Sequence, residues 1–219
     1  MSGTNPVIAP QAPPAGAEEV FGSRYPLAQR YAAMLCDEGV VRGLIGPREP
    51  ARIWSRHLLN GAALAAWLPA GAHVVDVGSG AGLPGIPLLL ARPDLKMTLL
   101  EPMQRRAVFC TEVREALGLD FAVLQARAQD APRRCADVVV VRAVAPLERL
   151  VPLVWPLLRP GGCLLALKGD RAAQEVRAAG TALARVRAAE PEVHPLGEGE
   201  DRTYVVAVTA PRGAATVST

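Results

Sequence analysis

A run of alternating glycines is the part of this 219-residue sequence whose residue types and spacing most clearly predict chemistry. Asp76 is followed by Gly78, Gly80 and Gly82, and Gly85 comes three residues later. Glycines at this spacing let the backbone turn sharply and approach a ligand closely. The helix expected to follow offers unpaired N–H groups at its start. The sequence therefore predicts that this loop binds a nucleotide-like ligand at the carboxyl edge of a sheet.

Two ligands match the glycine loop. Gly80, Gly82 and Gly85 match the G-x-G-x-x-G pattern of dinucleotide sites, whereas Asp76-x-Gly-x-Gly-x-Gly is typical of S-adenosylmethionine sites. An acidic residue at the strand end suits a cationic sulfonium and an amino group better than a pyrophosphate. Glu101 ends the next strand, nineteen residues past Gly82. With either ligand it is placed to accept hydrogen bonds from ribose hydroxyls.

Further candidate residues follow the later predicted strands. Gln129 and Asp130 follow the third strand, where a side chain can hydrogen-bond an adenine edge or simply cap a surface turn. Arg142 directly follows the valine run 138–141 and is expected at the mouth of the site. The ends of the strands are where function lies in open α/β sheets.

A set of basic side chains is expected near the same mouth, because the carboxyl ends of parallel strands meet at one edge of a sheet. The candidates lie on the second predicted helix, after Glu101 and around the end of the fifth strand: Arg52, Arg56, His57, Arg105, Arg106, Lys168 and Arg171. A basic rim indicates a phosphate-bearing substrate. Scattered solvated arginines are the alternative, since 22 arginines against 2 lysines also fit a high-GC codon bias.

The elements that must position these residues alternate along the chain. Apolar runs predict strands over residues 73–77, 96–101, 120–125, 137–141, 163–167, 192–196 and 203–209. Helices are predicted over residues 23–38, 50–68, 85–92, 104–117, 147–158 and 171–187, with a turn at 159–162. Valine- and leucine-rich strands between helices indicate a parallel sheet covered on both faces. The last two strands have no helix between them and predict an antiparallel pair.

The chain divides into four segments. Residues 1–17 hold four prolines among small residues and predict a disordered tail. Residues 18–70 predict an N-terminal helical extension, 71–210 the α/β domain, and 211–219 a loose C-terminal tail.

Composition excludes several classes of protein. Half of the residues are hydrophobic and 4% are aromatic, which predicts a folded chain with an aliphatic core. The net charge of +3 is too small to indicate nucleic-acid binding by itself. The four cysteines lie far apart without metal-ligand spacing, which predicts reduced thiols, no metal and a cytoplasmic protein. Neither a signal peptide nor a membrane span is expected.

Two features favour methyl transfer over hydride transfer: the antiparallel ending of the sheet, and a chain too short to hold a separate dehydrogenase substrate domain. After the fourth strand the sequence reads Arg142-Ala-Val-Ala, and not the Asn/Asp-Pro-Pro-Tyr/Phe of exocyclic-amine methylation. There is also no Pro-Cys pair to attack a pyrimidine. Guanine N7 needs neither, because it carries an in-plane lone pair and no proton, so in-line positioning is sufficient. The target is expected to be unpaired, because the major groove of duplex RNA is deep and narrow.

Several stretches together resemble the bacterial 16S ribosomal RNA guanine-N7 methyltransferases of the RsmG or GidB type. They are residues 56–60, 75–87, 92–94, 99–101, 142–143 and 166–169. The resemblance covers roughly residues 20–210. It implies a class I methyltransferase fold with a Rossmann-like seven-stranded sheet whose last strand is antiparallel. It also implies S-adenosylmethionine as donor and, as target, a guanine in the decoding-region loop of 16S ribosomal RNA.

The resemblance also implies roles for individual residues. Carried over by position, the cofactor contacts are Gly78, Gly80, Leu83, Glu101, Ala128, Gln129 and Arg142. Arg142 and Lys168 would position the RNA, and no catalytic acid or base is implied. The family usually has an acidic residue where Gln129 stands, and a serine where Val141 stands.

Three other functions stay open at this point. The first is a small-molecule methyltransferase with the same cofactor site. The second is a non-catalytic ribosome-assembly factor that binds RNA, and the third is a nicotinamide-dependent dehydrogenase. The leading hypothesis is a monomeric enzyme that acts on 16S ribosomal RNA in the small subunit or an assembly intermediate.

Overall fold

The sheet at the centre of the protein has seven strands within residues 9–197 and 199–212, the part that this computed structural model describes. Their order across the sheet is β3-β2-β1-β4-β5-β7-β6. In chain order they are β1 (His73–Val77), β2 (Lys96–Leu100), β3 (Ala122–Leu124), β4 (Ala136–Arg142), β5 (Leu158–Lys168), β6 (Glu192–Leu196) and β7 (Thr203–Thr209). Each strand lies on one of the apolar runs in the sequence.

The strand directions confirm the predicted class I methyltransferase fold. Strands β1 to β5 pair in parallel, whereas β7 runs antiparallel to both β5 and β6. Valine runs such as 138–141 form the central strands because both faces of the sheet are covered. The ends of β1 to β5 therefore lie at one edge of the sheet, with the start of β7 beside them.

Helices cover both faces of this sheet. They are α1 (Ala17–Phe21), α2 (Tyr25–Met34), α3 (Asn60–Ala62), α4 (Gly85–Ala91), α5 (Gln104–Leu117), α6 (Leu147–Val154), α7 (Ala172–Ala178) and α8 (Gly180–Arg185). One core cluster joins α1 to α5 with Val74 and Val138 of the sheet. The other joins α6 to α8 with Val75 and Val139, on the opposite face. None of the described helices is long and apolar enough to cross a membrane.

The helical extension contains a continuous helical run over residues 49–67. This run consists of a 3-10 turn (Glu49–Arg52), a π segment (Ile53–Leu59), α3 and a second 3-10 turn (Ala63–Trp67). Wide π turns are frequent at functional sites. Gly61 lets the run pack closely on α4, since a Cβ there would lie 3.0 Å from Cβ of Pro87. The extension and the sheet therefore share one hydrophobic core.

Two other stretches differ from the sequence-based prediction. The turn expected at 159–162 lies inside β5, where a bulge shifts the register with β4. The strand continues there because Gly161 and Gly162 exchange backbone hydrogen bonds with residues that follow β7. The helix expected over 171–187 is divided into α7 and α8 at Ala179, next to Gly180. Glycine weakens a helix because it exposes the backbone and loses the most conformational freedom.

Part of the segment expected to be a disordered N-terminal tail lies against the helical run 49–67. The side-chain oxygen of Gln11 accepts hydrogen bonds, each of 3.0 Å, from the backbone N–H groups of Trp54 and Ser55. The Gln11 N–H donates to the Pro50 carbonyl at 2.8 Å. These contacts pair N–H groups close to where the helical run begins. Residues 1–8 of this tail and 213–219 of the C-terminal one lie outside the described residues.

Candidate functional site

The glycine loop connects β1 to α4 in a backbone shape that glycine adopts most easily. Gly78, Gly80 and Gly82 have φ angles of 68°, 60° and 94°, in the region that L side chains rarely enter. At Gly78 a Cβ would lie 2.7 Å from Cγ2 of Val144, so a neighbouring segment occupies that space. At Gly80 a Cβ would meet nothing within 4 Å. A ligand can therefore approach the backbone at Gly80.

Asp76 lies fully buried beneath the loop. Its Oδ2 accepts a hydrogen bond from the Gly85 N–H at 2.9 Å, whereas Oδ1 has no hydrogen-bond partner among the described residues. Burial is the main reason that the pKa of this carboxyl group is raised to about 7; the Gly85 hydrogen bond opposes the shift and Glu101 adds to it. A buried carboxyl group with an unused oxygen suits a cationic or hydrogen-bonding ligand.

Glu101 fixes the loop from the end of β2. Its Oε2 accepts a hydrogen bond from the Gly80 N–H at 2.8 Å, and its Oε1 accepts one from the Met103 N–H at 2.8 Å. The side chain is buried, and Nη1 of Arg106 lies 3.9 Å from Oε2. Each carboxylate oxygen keeps a second lone pair for a ribose hydroxyl.

Two helices hold the loop from below. The Tyr31 hydroxyl on α2 donates to the Ala81 carbonyl at 2.7 Å, and the Cys110 thiol on α5 donates to the Gly80 carbonyl at 3.4 Å. Both side chains are completely buried. Sequence reasoning missed them, because a tyrosine and a cysteine on an apolar helix face look like ordinary core residues.

A cavity of about 370 Å³ lies over the loop. Four of the predicted cofactor residues line it: Gly78, Gly80, Leu83 and Arg142. The helical extension lines it as well, through Leu44, Ile45, Gly46, Glu49, Arg56 and His57. Residues 44–46 follow the first predicted helix in a stretch without a pattern that indicates a ligand, so sequence reasoning missed them.

The three remaining predicted cofactor residues do not line this cavity. Glu101 lies under the loop, Ala128 is buried in a 3-10 turn after β3, and Gln129 is exposed on the same turn. Since β1, β2 and β3 are neighbours in the sheet, these residues follow one another along its edge. A ligand that extends from the loop along this edge would reach them.

Arg142 and His57 lie where the helical run 49–67 meets β4. Arg142 donates to the Arg56 carbonyl at 3.4 Å. Burial, and then repulsion from Arg56, lower the pKa of Arg142 to about 10, so it stays charged at neutral pH. Burial and Arg142 lower the pKa of His57 to about 4, although its Nε2 is paired with Glu49. His57, predicted to contact RNA, is thus a neutral and buried side chain.

A second cavity of about 600 Å³ adjoins the first. Arg56, Arg142 and Ala143 line both cavities. The larger one extends along the ends of β4 and β5 to the start of β7, where Asn60 and Arg202 line it. Sequence reasoning missed these two residues. The antiparallel β7 was a usable signal for Arg202, because such a strand starts at the edge where the parallel strands end.

The predicted RNA-binding residues fall into two groups. Arg105 and Arg171 are exposed. The others have partners within the chain: Arg52 pairs with Asp201, Arg56 and His57 with Glu49, Arg106 with Glu101, and Lys168 with Glu175. Lys168 exposes only 8% of its side chain. The sequence did not reveal these pairs. Asp201 lies 149 residues from Arg52, and the closer pairs depend on how turns and neighbouring elements bring their side chains together.

The family model described as rRNA small subunit methyltransferase G (GidB) matches residues 24–204. The chain belongs to this family. A ribosomal RNA small subunit methyltransferase G from Streptomyces avermitilis is 56% identical over 196 residues, which are 87% of this chain and 82% of that relative. The one from Thermobifida fusca is 51% identical over 201 residues, 90% of this chain and 85% of that relative. This protein is thus a methyltransferase of small-subunit ribosomal RNA.

Solved structures share the fold at low identity. The tRNA methyltransferase TrmK of B. subtilis superposes with a TM-score of 0.57 at 17% identity, over 70% of this chain and 66% of that one. At this identity the likeness shows the class I fold alone. Family membership, together with this fold, favours the RNA methyltransferase over the three other functions that the sequence left open.

The residues around the loop fit S-adenosylmethionine. The backbone at Gly80 is open on the side where a Cβ would stand. Beneath the loop, Asp76 has a buried oxygen without a hydrogen-bond partner in the described part of the chain, and Glu101 places a second carboxylate near it. Two acidic groups suit a ligand with a cationic sulfonium and an amino group.

Proposed function

We propose that this protein transfers a methyl group from S-adenosylmethionine to N7 of a guanine in the decoding-region loop of 16S ribosomal RNA, in the cytoplasm. The observation that carries the proposal is the junction of the two cavities, which Arg56, Arg142 and Ala143 line from both sides. The charged side chains that line both cavities are guanidinium cations, which do not act as bases. Methylation at N7 removes no proton, so the reaction needs no base.

The residues of this chain act by positioning. When bound, S-adenosylmethionine supplies a methyl group on a cationic sulfur, which the lone pair of N7 can accept. Glu101 and Tyr31 hold the glycine loop in its open shape. Arg142, charged at neutral pH and fixed by the Arg56 carbonyl, orients the base at the junction of the cavities. Correct placement of reacting atoms can supply most of the rate enhancement in such a reaction.

The cofactor contacts are part of the proposal. Gly78, Gly80, Leu83 and Arg142 would hold the methionine end in the smaller cavity, where they meet. Glu101, Ala128 and Gln129 would hold the adenosine end along the edge of the sheet. The Gln129 amide oxygen can accept a hydrogen bond from the adenine amino group, as a carboxylate would.

The RNA contacts follow from exposure and charge. Arg105 and Arg171 are exposed, so these side chains are available to phosphates. Arg56 pairs with Glu49 but also lines both cavities, so it can contact the RNA as well. Arg52, Arg106 and Lys168 have internal partners. They would affect RNA binding indirectly, by holding in place the segments that contact the RNA. The substrate would be the small subunit or an assembly intermediate, and the enzyme would act as a monomer.

A methyl-transfer assay tests the proposal. The protein and radiolabelled S-adenosylmethionine would be mixed with small ribosomal subunits from a strain that lacks the endogenous enzyme, and the digested nucleosides would be separated. Label in 7-methylguanosine is the expected result, and Arg142→Met should remove most of it. Label in another nucleoside would contradict N7 as the target. Cofactor binding without any label would favour the small-molecule enzyme or the assembly factor.

A further inference from the structure

Lys168, at the end of β5, lines the larger cavity, but its side chain is almost completely covered. Its side chain is 8% exposed, and its Nζ lies 2.8 Å from Oε2 of Glu175 on α7. The same Nζ donates a hydrogen bond of 2.6 Å to the Ala145 carbonyl. A lysine that is covered and neutralised in this way offers little charge to an RNA phosphate.

Glu175 connects this lysine to a third element. Its Oε2 also accepts a hydrogen bond of 2.9 Å from the N–H of Leu147, the first residue of α6. The first N–H groups of a helix have no partner within the helix, and a carboxylate there is stabilised by the helix dipole. Lys168 and Glu175 therefore fasten the end of β5 and helix α7 to the segment that leads from β4 into α6.

That segment, the β4–α6 loop of residues 143–146, lies between the two cavities. Ala143 lines both of them, and the whole loop lines the larger one. Val144 packs on the glycine loop so closely that a Cβ at Gly78 would lie 2.7 Å from its Cγ2. Ala143 has a φ of 54°, a conformation that a non-glycine residue keeps only when its surroundings enforce it. The hydrogen bonds to Ala145 and Leu147 supply that constraint on the other side of the loop.

We propose that Glu175 is a positioning residue for methyl transfer and that Lys168 acts with it. The pair holds the β4–α6 loop against Gly78, so that the cofactor cavity and the target cavity keep their relative position. Lys168 thus serves the reaction through Ala145 and not through a direct contact with RNA. This inference rests on the proposed function for its kinetic part and on the structure alone for its structural part.

The kinetic test compares Glu175→Met, Lys168→Met and the double variant, using the full-length protein with small ribosomal subunits. Each single change should lower kcat about 10- to 100-fold, as a displacement of about 1 Å can do, with little change in KM for the subunits. The double variant should be no slower than the slower single variant, because both residues act on the same loop. Glu175→Gln keeps an acceptor for Leu147 and should recover most of the rate. Glu148→Met removes a charge from an exposed residue of α6 and should behave as wild type.

A direct contact between Lys168 and RNA would give the opposite pattern and overturn the proposal. Lys168→Met would then raise KM and reduce the slope of log KM against log salt concentration by about one. Glu175→Met would lower KM, because it removes a negative charge and frees the lysine. Lys168→Arg separates the two cases even if the methionine variants do not fold. It keeps the charge that a phosphate needs, but a guanidinium does not reproduce the geometry of the two internal hydrogen bonds. Lys168→Arg should therefore lower kcat if Lys168 holds the loop, and should leave kcat and KM near wild type if Lys168 contacts a phosphate.

Amide hydrogen exchange tests the structural part without any RNA. The Leu147 N–H should exchange about tenfold faster in Glu175→Met than in wild type, since it loses its acceptor. Unchanged exchange at Leu147 would overturn the proposal whatever the activity. If exchange rises and wild type does not methylate guanine N7, the proposed function and the kinetic part of this inference fail, whereas its structural part, that Glu175 holds the β4–α6 loop, is upheld.

Discussion

Gly80 and Asp76 are the residues whose features most directly indicate a cofactor site. Gly80 has a φ of 60° and open space where a Cβ would stand. Asp76 is buried with one oxygen unpaired among the described residues. The unpaired buried oxygen costs stability in the free protein, and a glycine loses more conformational entropy on folding than any other residue. They are understandable if the ligand occupies the space and interacts with the charge.

Gly80→Val tests the space over the loop. The side chain would stand where the cofactor approaches, so affinity for S-adenosylmethionine should fall more than tenfold, as measured by calorimetry. Gly71→Val is the matched control, because Gly71 also has a positive φ of 66° and open space around a Cβ, but lies in the turn before β1. Both variants should lose about 1–2 kcal/mol of unfolding free energy from left-handed strain. Equal loss of cofactor binding in both would contradict this interpretation.

Asp76 should make cofactor binding depend on pH. Its pKa in the free protein is raised to about 7, and a nearby cation favours the charged form and lowers that pKa. S-adenosylmethionine should therefore bind more tightly as pH rises from 6 to 8 and should release protons, which calorimetry in two buffers detects. In the free protein the sign is opposite for stability: a raised carboxyl pKa makes the unfolding free energy fall as pH rises from about 4 to 7. Asp76→Asn should remove both effects.

At the scale of elements, the helical extension forms part of the site and does not merely cover the sheet. It lines the smaller cavity through Leu44, Ile45 and Glu49. Its helix α2 reaches the glycine loop through the Tyr31 hydroxyl, which donates to Ala81. The π segment of the helical run 49–67 ends just before Asn60, which lines the second cavity. The sequence predicted the helices but not this role, because hydrophobic periodicity shows which face is buried and not what lies beyond it.

Tyr31→Phe tests whether the extension holds the loop. The change deletes one buried hydrogen bond, so the unfolding free energy should fall by about 1 kcal/mol. Affinity for S-adenosylmethionine should also fall several-fold, because the Ala81 end of the loop is released. Tyr25→Phe is the control, since Tyr25 packs on Trp54 away from the loop. If Tyr31→Phe binds the cofactor like wild type, α2 serves stability alone.

At the scale of the whole molecule, contacts between distant parts of the chain hold together the segments beside the second cavity. Asp201, just before β7, accepts hydrogen bonds from Arg52 and Ser55, and its carbonyl accepts one from Asn60 at 3.3 Å. These partners are separated by more than 140 residues along the chain. The contacts fix the start of β7, with Arg202, against the helical run 49–67.

Asp201→Asn should weaken the contacts between the start of β7 and the helical run 49–67. The ion pair with Arg52 is partly exposed, so the loss of unfolding free energy should be about 1 kcal/mol at neutral pH. Arg52 and Ser55 lower the pKa of Asp201 against the effect of burial. Its contribution is therefore present above the pKa of an unfolded aspartate, near 4, and is lost as pH falls below it. Urea denaturation at pH 7 and pH 3 checks this: the difference from wild type should shrink at the lower pH, whereas Asp120→Asn, at an exposed residue, should show none.

The sequence by itself determined the sheet and the cofactor loop, because both depend on local patterns. Valine runs flanked by helices produce parallel strands, the absence of a helix before β7 produces the antiparallel end, and three positive-φ positions require glycine. Arg142 could be placed at the mouth of the site for the same reason, since it directly follows a buried strand. The tertiary structure alone decided what the other charged residues do. His57 and Lys168 are predicted RNA contacts, and only the fold shows that each is mostly covered and paired, with Glu49 and with Glu175. Charged side chains find their partners through folding, and the spacing of residues along the chain does not record those pairings.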